Sequence, residues 1–386
     1  MTSAFDMVSL HPFPSTYALF LTQARFRHTP ALTMITEADR VRMGTVDPLL
    51  AEAVKQSPAP IMEGGILARR KARADELAKL RHLYPIPGPI PEHVQETDHI
   101  VEARDGFRIP IIIYKPVEKL SKPSPVVVML YAVFSVAVLS HEGGWSMGDL
   151  TDEHLNCRMF ARDLGAVCVN VDYRLAPEHA WPKCVEDCYD VISWVAKTAS
   201  PSNAELPGDP KAGFIVGGAS AGGNLAAVMA QLGRDNGLSP PLTGQYLCCP
   251  SLLWHDVVPE KWQSECRSRL ELVDDPLFGD SIKKDPPDNL AGRGSTNPLF
   301  NPLLHPDLKG LPACYQQVSG LDPLRDEALL YDRVLREENA IKTKIDVYDG
   351  HGHMFWTVWP TLERSKEFVK DTLEGFKWLL EAGKSA

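Results

Sequence analysis

The stretch "GFIVGGASAGGNLAAVMAQLGR", residues 213–234, holds one serine at the centre of a run of small residues. A short apolar run typical of a buried strand precedes Ser220, and an alanine-rich apolar run typical of a helix follows it. A G-x-S-x-G pattern between strand and helix predicts a sharp turn that projects a nucleophilic serine at the carboxyl edge of a sheet. Only small residues fit there, because the turn brings neighbouring backbone close. The N–H of Ala221 then lies at a helix N-terminus, where it can bind an oxyanion.

A serine nucleophile needs a base, and the base needs an acid that orients it, in the chain order Ser, Asp, His. "ACYQQVSG" and "KTKIDVYDG" are strand-like, and polar loops follow both at the edge expected for the serine. Asp322 directly follows the first strand. Asp326 falls inside the next helix, where a surface carboxylate or a charge at the helix N-terminus is the ordinary interpretation, so Asp322 is favoured as the acid. After the second strand the residues alone leave His351 and His353 as alternative bases.

Strands and helices alternate through most of the chain, which predicts an α/β fold with a doubly wound, mostly parallel sheet. Two strands joined by a turn at Asp105-Gly106 come first, in "TDHIVEARDGFRIPIIIYKP". The strand-like segments after them are "PVVVMLY", "GAVCVNVDY", "GFIVGG", "TGQYLCCPS", "ACYQQVSG" and "KTKIDVYDG". The helical segments are "CVEDCYDVISWVAK", "NLAAVMAQLGR", "DEALLYDRVLREE" and "LERSKEFVKDTLEGFKWLL".

The ends of the chain and one long insert define the predicted domains. Residues 1–36 are expected to be a disordered extension, without the basic start and apolar stretch of a secretory signal. Residues 37–94 are expected to be a helical cap and linker before a catalytic domain at 95–386. An amphipathic helix packed by one face is predicted there from Leu67, Ala74, Leu77, Leu80 and Tyr84. The alternation of strand and helix patterns is interrupted at residues 251–300, and this long segment is predicted to form a lid.

Composition excludes several classes of function. The 386 residues are 44% apolar and 23% charged, as in an ordinary globular protein, and the net charge of −10 argues against a nucleic-acid partner. The longest apolar run, residues 125–139, is too short to cross a bilayer. Eight cysteines without metal or disulfide spacing are interpreted as buried structural thiols. They favour a reducing compartment, and we expect a cytoplasmic protein.

Five segments together resemble the hormone-sensitive-lipase-like branch of the α/β-hydrolases over residues from about 95 to 380. The resemblance is carried by "HEGGW", "VNVDYRLAPEHAWP", "GASAGGNLAA", "GLPACYQQVSGLDPLRDEALLY" and "HGHMFW". The segment "HEGGWSMGDL" is similar in sequence to the same segment of fungal members of this branch, several of which cleave esters in polyketide pathways. The resemblance implies an α/β-hydrolase fold with a helical lid, and no metal or organic cofactor.

The resemblance also assigns roles to single residues. It places the nucleophile at Ser220, the acid at Asp322 and the base at His353, with His351 as a neighbour. The family's oxyanion donors fall on Gly143 and Gly144, beside Ala221.

The chain departs from the family's pattern in three places. Glu142 replaces a glycine, Ala219 stands where the family often has Asp, and the nine residues "AVFSVAVLS" (132–140) are inserted before the oxyanion loop.

The expected function is therefore that of a serine carboxylic-ester hydrolase acting on a small-molecule ester, as in fungal secondary-metabolite pathways. Two alternatives exist on the same scaffold. Some relatives act as dehydratases on phenolic substrates, and some plant relatives are hormone receptors that have lost the catalytic histidine. The joint presence of Ser220, Asp322 and His353 argues against the receptor.

Overall fold

The computed structural model describes residues 35–58, 64–118, 121–130, 144–272 and 295–385, and these residues build one eight-stranded sheet with helices on both faces. The strands are β1 (Val94–Glu102), β2 (Arg108–Pro116), β3 (Val126–Leu130), β4 (Val167–Val171), β5 (Phe214–Ala219), β6 (Gly244–Cys248), β7 (Ala313–Ser319) and β8 (Thr343–Tyr348). Each coincides with a segment that the sequence predicted as a strand. The predicted α/β-hydrolase architecture is confirmed.

The order of the strands is β1-β2-β4-β3-β5-β6-β7-β8. The pairs β1–β2 and β2–β4 are antiparallel, and every pair from β4 to β8 is parallel. Since the carboxyl ends of parallel strands share one edge, the loops after β5, β6, β7 and β8 meet there. This edge is where the sequence placed the candidate site.

Helices cover the sheet on both sides. They are α1 (Glu37–Gly44), α2 (Pro48–Gln56), α3 (Ile66–Leu80), α4 (His154–Leu164), α5 (Lys183–Thr198), α6 (Ala221–Asp235), α7 (Ser268–Glu271), α8 (Arg325–Arg333), α9 (Phe355–Val358) and α10 (Glu363–Ala382). Side chains of α5, α6 and α8 belong to one apolar cluster, and those of α4 and α10 belong to a second. The sheet separates the two clusters, as a doubly wound fold requires.

The central strand β3 shows why the parallel strands of this sheet have continuously apolar sequences. Val126, Val128 and Leu130 pack into the first cluster, whereas Val127 and Met129 pack into the second. Alternate side chains of a strand point to opposite faces, and both faces here are covered. Among the described residues, no helix is both long and apolar enough to span a membrane.

Helix α3 packs by the face that the sequence predicted, since Ala74, Leu77, Leu80 and Tyr84 are half-buried, but two arginines share that face and Leu67 does not. Leu67 is 67% exposed, while Arg69 and Arg73 are each only 4% exposed. Arg73 is buried because it forms a two-bonded ion pair with Asp152, at 2.6 and 3.2 Å. The periodicity located the helix and its packed face, and the carboxylate of Asp152 explains why Arg73 lies in that face.

The expected N-terminal extension and the expected lid are only partly covered by the described residues. Residues 1–34 of the expected extension and residues 273–294 of the expected lid lie outside the described residues. The inserted residues 132–140 do so as well. The described part of the lid segment, 251–272 and 295–300, contains short turns and α7.

Candidate active site

Ser220 occupies a strained turn between β5 and α6. Its backbone has φ 55° and ψ −116°, a combination that side-chain-bearing residues rarely adopt. The Ser220 N–H donates a hydrogen bond of 2.8 Å to the carbonyl oxygen of Cys248, which ties the turn to the end of β6. Helix α6 begins at the next residue, Ala221. The chain therefore reverses within one residue and presents the serine at the carboxyl edge of the sheet.

The glycines around the serine are required by close backbone approach. A Cβ atom at Gly218 would lie 2.3 Å from the carbonyl oxygen of Leu130 and 2.6 Å from the backbone of Gly222. A Cβ atom at Gly223 would lie 2.9 Å from a side-chain atom of Pro250. These distances are too short for real Cβ contacts, so a larger residue would displace the turn. This is the reason that the sequence surrounds Ser220 with so little bulk.

Asp322 lies in the loop that connects β7 to α8. Its Oδ1 accepts a hydrogen bond of 2.8 Å from the N–H of Leu324, and its Oδ2 lies 2.6 Å from Nδ1 of His353. The side chain is buried, with 1% exposed. A carboxylate held at both oxygens is fixed in orientation and can fix the imidazole in turn.

Asp326 lies in the first turn of α8, so its interpretation as a charge at a helix N-terminus is confirmed, but it is buried, so its interpretation as a surface carboxylate is wrong. It forms ion pairs with Arg40 and Arg325 and accepts hydrogen bonds from the N–H groups of Arg267 and Ser268. Burial alone would raise the pKa of Asp326, but the neighbouring guanidinium groups hold it below its usual value. Its helix position had indicated exposure; the partners that bury it come from elsewhere in the chain.

The structure separates the two histidines that the sequence left open. Nε2 of His353 lies 3.1 Å from Oγ of Ser220, while Nδ1 faces Asp322. His351 instead places Nδ1 2.8 Å from the carbonyl oxygen of Asp349 and packs its ring against Phe355. Ser220, Asp322 and His353 are thus brought into one chain of hydrogen bonds. His351 lies outside it.

The charge of Asp322 controls the basicity of His353. Burial opposes an imidazolium ion, but the adjacent carboxylate outweighs burial and raises the pKa of His353 above its usual value. A more basic imidazole is a better acceptor for the Ser220 hydroxyl proton. The hydrogen bond to Asp322 keeps the proton of the neutral ring on Nδ1, which leaves Nε2 free to act as the base.

Two of the three candidate oxyanion donors, Ala221 and Gly144, are among the described residues. Ala221 is the first residue of α6, so its N–H has no partner within the helix and faces the region of Ser220. Gly144 has φ 52°, a left-handed conformation that favours glycine. Gly143, together with Glu142 and His141, lies outside the described residues. The three oxyanion assignments stay predictions.

Cys249 lies beside the Asp322–His353 pair, a position that the sequence analysis missed. It follows the end of β6, is buried, and has φ 41°. The thiol sulfur, a carboxylate oxygen of Asp322 and a ring nitrogen of His353 all lie within 4.8 Å of one another. Thiol, carboxylate and imidazole are also metal ligands, but here the imidazole and carboxylate are already hydrogen-bonded to each other at 2.6 Å. The signal in the sequence was the strand end before Pro250, at the same sheet edge as the triad.

Comparison with known proteins agrees with this fold. A family model described as the α/β hydrolase fold matches residues 137–357. An AB hydrolase superfamily protein of Schizosaccharomyces pombe is 35% identical, over 87% of this chain and 94% of its own length. The versiconal hemiacetal acetate esterase of Dothistroma septosporum is 35% identical, over 65% of this chain and 75% of its own. The crystal structure of vibralactone cyclase superposes with a TM-score of 0.77 at 27% identity, covering 88% of this chain and 96% of that one.

The chain belongs to the α/β-hydrolase family. Within it, the predicted relationship to the hormone-sensitive-lipase-like esterases is confirmed, and further relatives are named carboxylesterases and esterases.

Proposed function

We propose that this protein hydrolyses carboxylic esters of small molecules through an acyl-enzyme on Ser220. The observation that carries the proposal is the hydrogen-bonded series Ser220 Oγ, His353 Nε2, His353 Nδ1 and Asp322 Oδ2, at 3.1 and 2.6 Å. The strained backbone of Ser220 supports the same assignment, because such strain is typical of a nucleophile elbow.

The proposed reaction proceeds in two halves. Nε2 of His353 takes the proton of the Ser220 hydroxyl as Oγ attacks the ester carbonyl carbon. The N–H groups of Ala221, Gly143 and Gly144 would donate hydrogen bonds to the carbonyl oxygen as it becomes negative. The C–O bond to the alcohol breaks, and His353 gives its proton to the departing oxygen. Water, deprotonated by His353, then attacks the acyl-enzyme, and the acid leaves as Ser220 recovers its proton.

We further propose that residues 37–94 and 251–300 form a cap over the site. Arg70 of α3 donates hydrogen bonds to the carbonyl oxygens of Ser146 and Ala176, next to the candidate oxyanion loop. From the other segment, Phe300 stacks on Trp145 with ring centroids 4.8 Å apart. Both segments therefore contact the residues that follow Gly144.

The substrate class that we propose is a short acyl group, such as acetyl, on a bulky and aromatic alcohol. The versiconal hemiacetal acetate esterase among the relatives supports this choice, and it also supports a role in a fungal secondary-metabolite pathway. Acetate esters of naphthol-like alcohols should be hydrolysed faster than long-chain triglycerides. A preference for acyl chains beyond about ten carbons would contradict the proposal.

The central test is the Ser220→Ala variant. It removes one oxygen from a side chain that is not needed for packing, so the variant should keep the melting temperature of the wild type and lose ester hydrolysis. Covalent labelling by a fluorophosphonate should be lost with it. A variant that kept more than about a tenth of the wild-type rate would contradict the assignment, since a nucleophile usually contributes orders of magnitude.

Product analysis separates hydrolysis from its alternatives on this scaffold. A similar structure is named a cyclase, and dehydration was the other enzymatic alternative. Hydrolysis in water enriched in oxygen-18 should place the label in the released acid. Ring closure or elimination would leave the acid absent or unlabelled.

A further inference from the structure

A cavity of about 260 Å³ is lined in part by chain neighbours of the proposed triad. Its wall includes Ala219, which directly precedes Ser220, and Met354, which directly follows His353. The rest of the wall comes from α3 and the residues just after it, from the turn at residues 151–153 and the start of α4, from β6, and from the segment that leads from Met354 into α10. The cavity therefore lies where part of a bound ester would extend from the reacting carbonyl group.

Most of the cavity wall is apolar and aromatic. Trp356 and Phe368 stack with their centroids 3.6 Å apart and their planes 11° from parallel. Tyr246, Leu77 and Met354 contribute further apolar surface. Flat aromatic walls suit a ring system, since offset stacking adds to the burial of apolar area. The small volume limits the occupant to a group below drug size.

One side of the cavity carries a buried carboxyl group. Glu153 is 4% exposed, and its Oε2 accepts a hydrogen bond of 2.7 Å from the side-chain amide of Asn156. Within the described part of the chain, no second donor reaches this carboxyl group. The neighbouring ion pair of Arg73 and Asp152 is also buried, but its two partners bind each other with two hydrogen bonds.

A carboxyl group with hydrogen-bonding capacity to spare is costly to bury, so a ligand that pairs with it gains affinity. Burial also raises the pKa of Glu153 to about 7, with a smaller opposing effect from Asn156. Near neutral pH the group is therefore present in both its protonated and its ionised form, and it can donate or accept a hydrogen bond.

We propose that this cavity binds the alcohol portion of the ester, as a ring that carries a second hydroxyl group, and that Glu153 hydrogen-bonds that hydroxyl. This inference rests on the proposed esterase function. The alcohol portion is chosen because its departing oxygen must reach His353, and Met354, the residue after His353, lines the cavity together with Trp356. The substrate class is thus an ester of a hydroxylated aromatic alcohol.

The test measures binding to the Ser220→Ala protein, in which no turnover interferes. The probes are 2-naphthol and naphthalene-2,6-diol, followed by calorimetry or by the fluorescence of the cavity-lining Trp356. The diol should bind about tenfold more tightly or better, as expected for a hydrogen bond to a carboxyl group. Equal affinities for the two probes would overturn the proposal.

Two further substitutions in the Ser220→Ala background assign the effect to Glu153. Glu153→Leu should abolish the advantage of the diol, so that the two probes bind with equal affinity. Glu153→Gln, which keeps the shape of the side chain, should retain part of the advantage and serves if the leucine variant does not fold. A diol advantage that survives both substitutions would place the hydroxyl elsewhere and overturn the assignment.

The binding assay and the hydrolysis assay test the two proposals separately, so that either proposal can be contradicted without the other. If the wild type did not hydrolyse esters but Ser220→Ala still preferred the diol through Glu153, the proposed reaction would be wrong and the binding site right. If the wild type hydrolysed p-nitrophenyl acetate, which lacks a second hydroxyl group, but Ser220→Ala bound the diol no more tightly than 2-naphthol, the proposed reaction would be right and the proposed binding site wrong.

Discussion

Arg40 of α1 and Asp326 of α8 form an ion pair in which both side chains are buried, 5% and 1% exposed. Arg40 also donates to the carbonyl oxygens of Ser264 and Glu265, so one guanidinium group joins the amino-terminal helix, the lid segment and α8. Asp326 is four residues beyond Asp322. The pair therefore supports the loop that carries the proposed acid without touching the triad.

Asp326→Asn should destabilise the protein by about 3–5 kcal/mol, because it leaves buried guanidinium charge without its partner. Chemical denaturation measures the loss. Asp349→Asn is the matched control, since Asp349 pairs with Arg42 on the same helix but both side chains are substantially exposed. The control should change the free energy of unfolding by about 0–1 kcal/mol. Equal losses of free energy of unfolding in the two variants would mean that the buried pair stabilises the protein no more than the exposed pair does.

Asp322→Asn should reduce kcat by about 10⁴-fold while leaving the fold intact, because the amide no longer holds the imidazole in the tautomer with Nε2 free. Steady-state kinetics with a p-nitrophenyl ester measures the loss. Asp326→Asn, assayed at a temperature where it is folded, should retain turnover within about tenfold. If Asp326→Asn lost more turnover per folded molecule than Asp322→Asn, the proposed acid would be wrong.

His353→Ala should lower the single-turnover acylation rate by several orders of magnitude, because Nε2 of His353 is the base within reach of Ser220. His351→Ala should lower it by about tenfold or less, since His351 binds backbone and packs on Phe355. Rapid-quench measurement of both variants decides the matter. The opposite ranking would transfer the role of the base to His351.

Cys249→Ala should shift the acidic limb of the pH profile of kcat/KM to lower pH. The pKa of His353 is lowered by burial but raised by Asp322 and, to a smaller extent, by the Cys249 thiol. Removing the thiol therefore lowers the pKa of the imidazole, which then stays neutral and able to act as a base at lower pH. Cys314→Ala is the control, because Cys314 is buried near the start of β7, at the opposite end of the strand from the site. A shift of the same size in both variants would rule out the thiol–imidazole contact as the cause.

Much of the fold was predictable because its signals are local. Continuous apolar runs indicate strands covered on both faces, and Gly218, Ser220 and Gly222 between a strand and a helix indicate the turn. The strand ends before Asp322 and His353 then place all three proposed catalytic residues at one edge. The triad's candidate members could be chosen without a structure, although the choice of His353 over His351 needed the family resemblance.

The sequence by itself determined the strands, most of the helices and the turn at Ser220, since each depends on neighbours within a few residues. Only the tertiary structure decided that Arg73 and Asp326 are buried, that Cys249 lies against the imidazole, and that Glu153 lines a cavity beside the site. Hydrophobic periodicity reports the cost of exposing apolar groups, and it predicts that charged groups face water. A charged side chain becomes buried when a partner neutralises it. Asp152, the partner of Arg73, is 79 residues away in the chain, and Arg40, which pairs with Asp326 together with the adjacent Arg325, is 286 residues away. No local pattern encodes such a pairing, so it became visible only when the chain was folded.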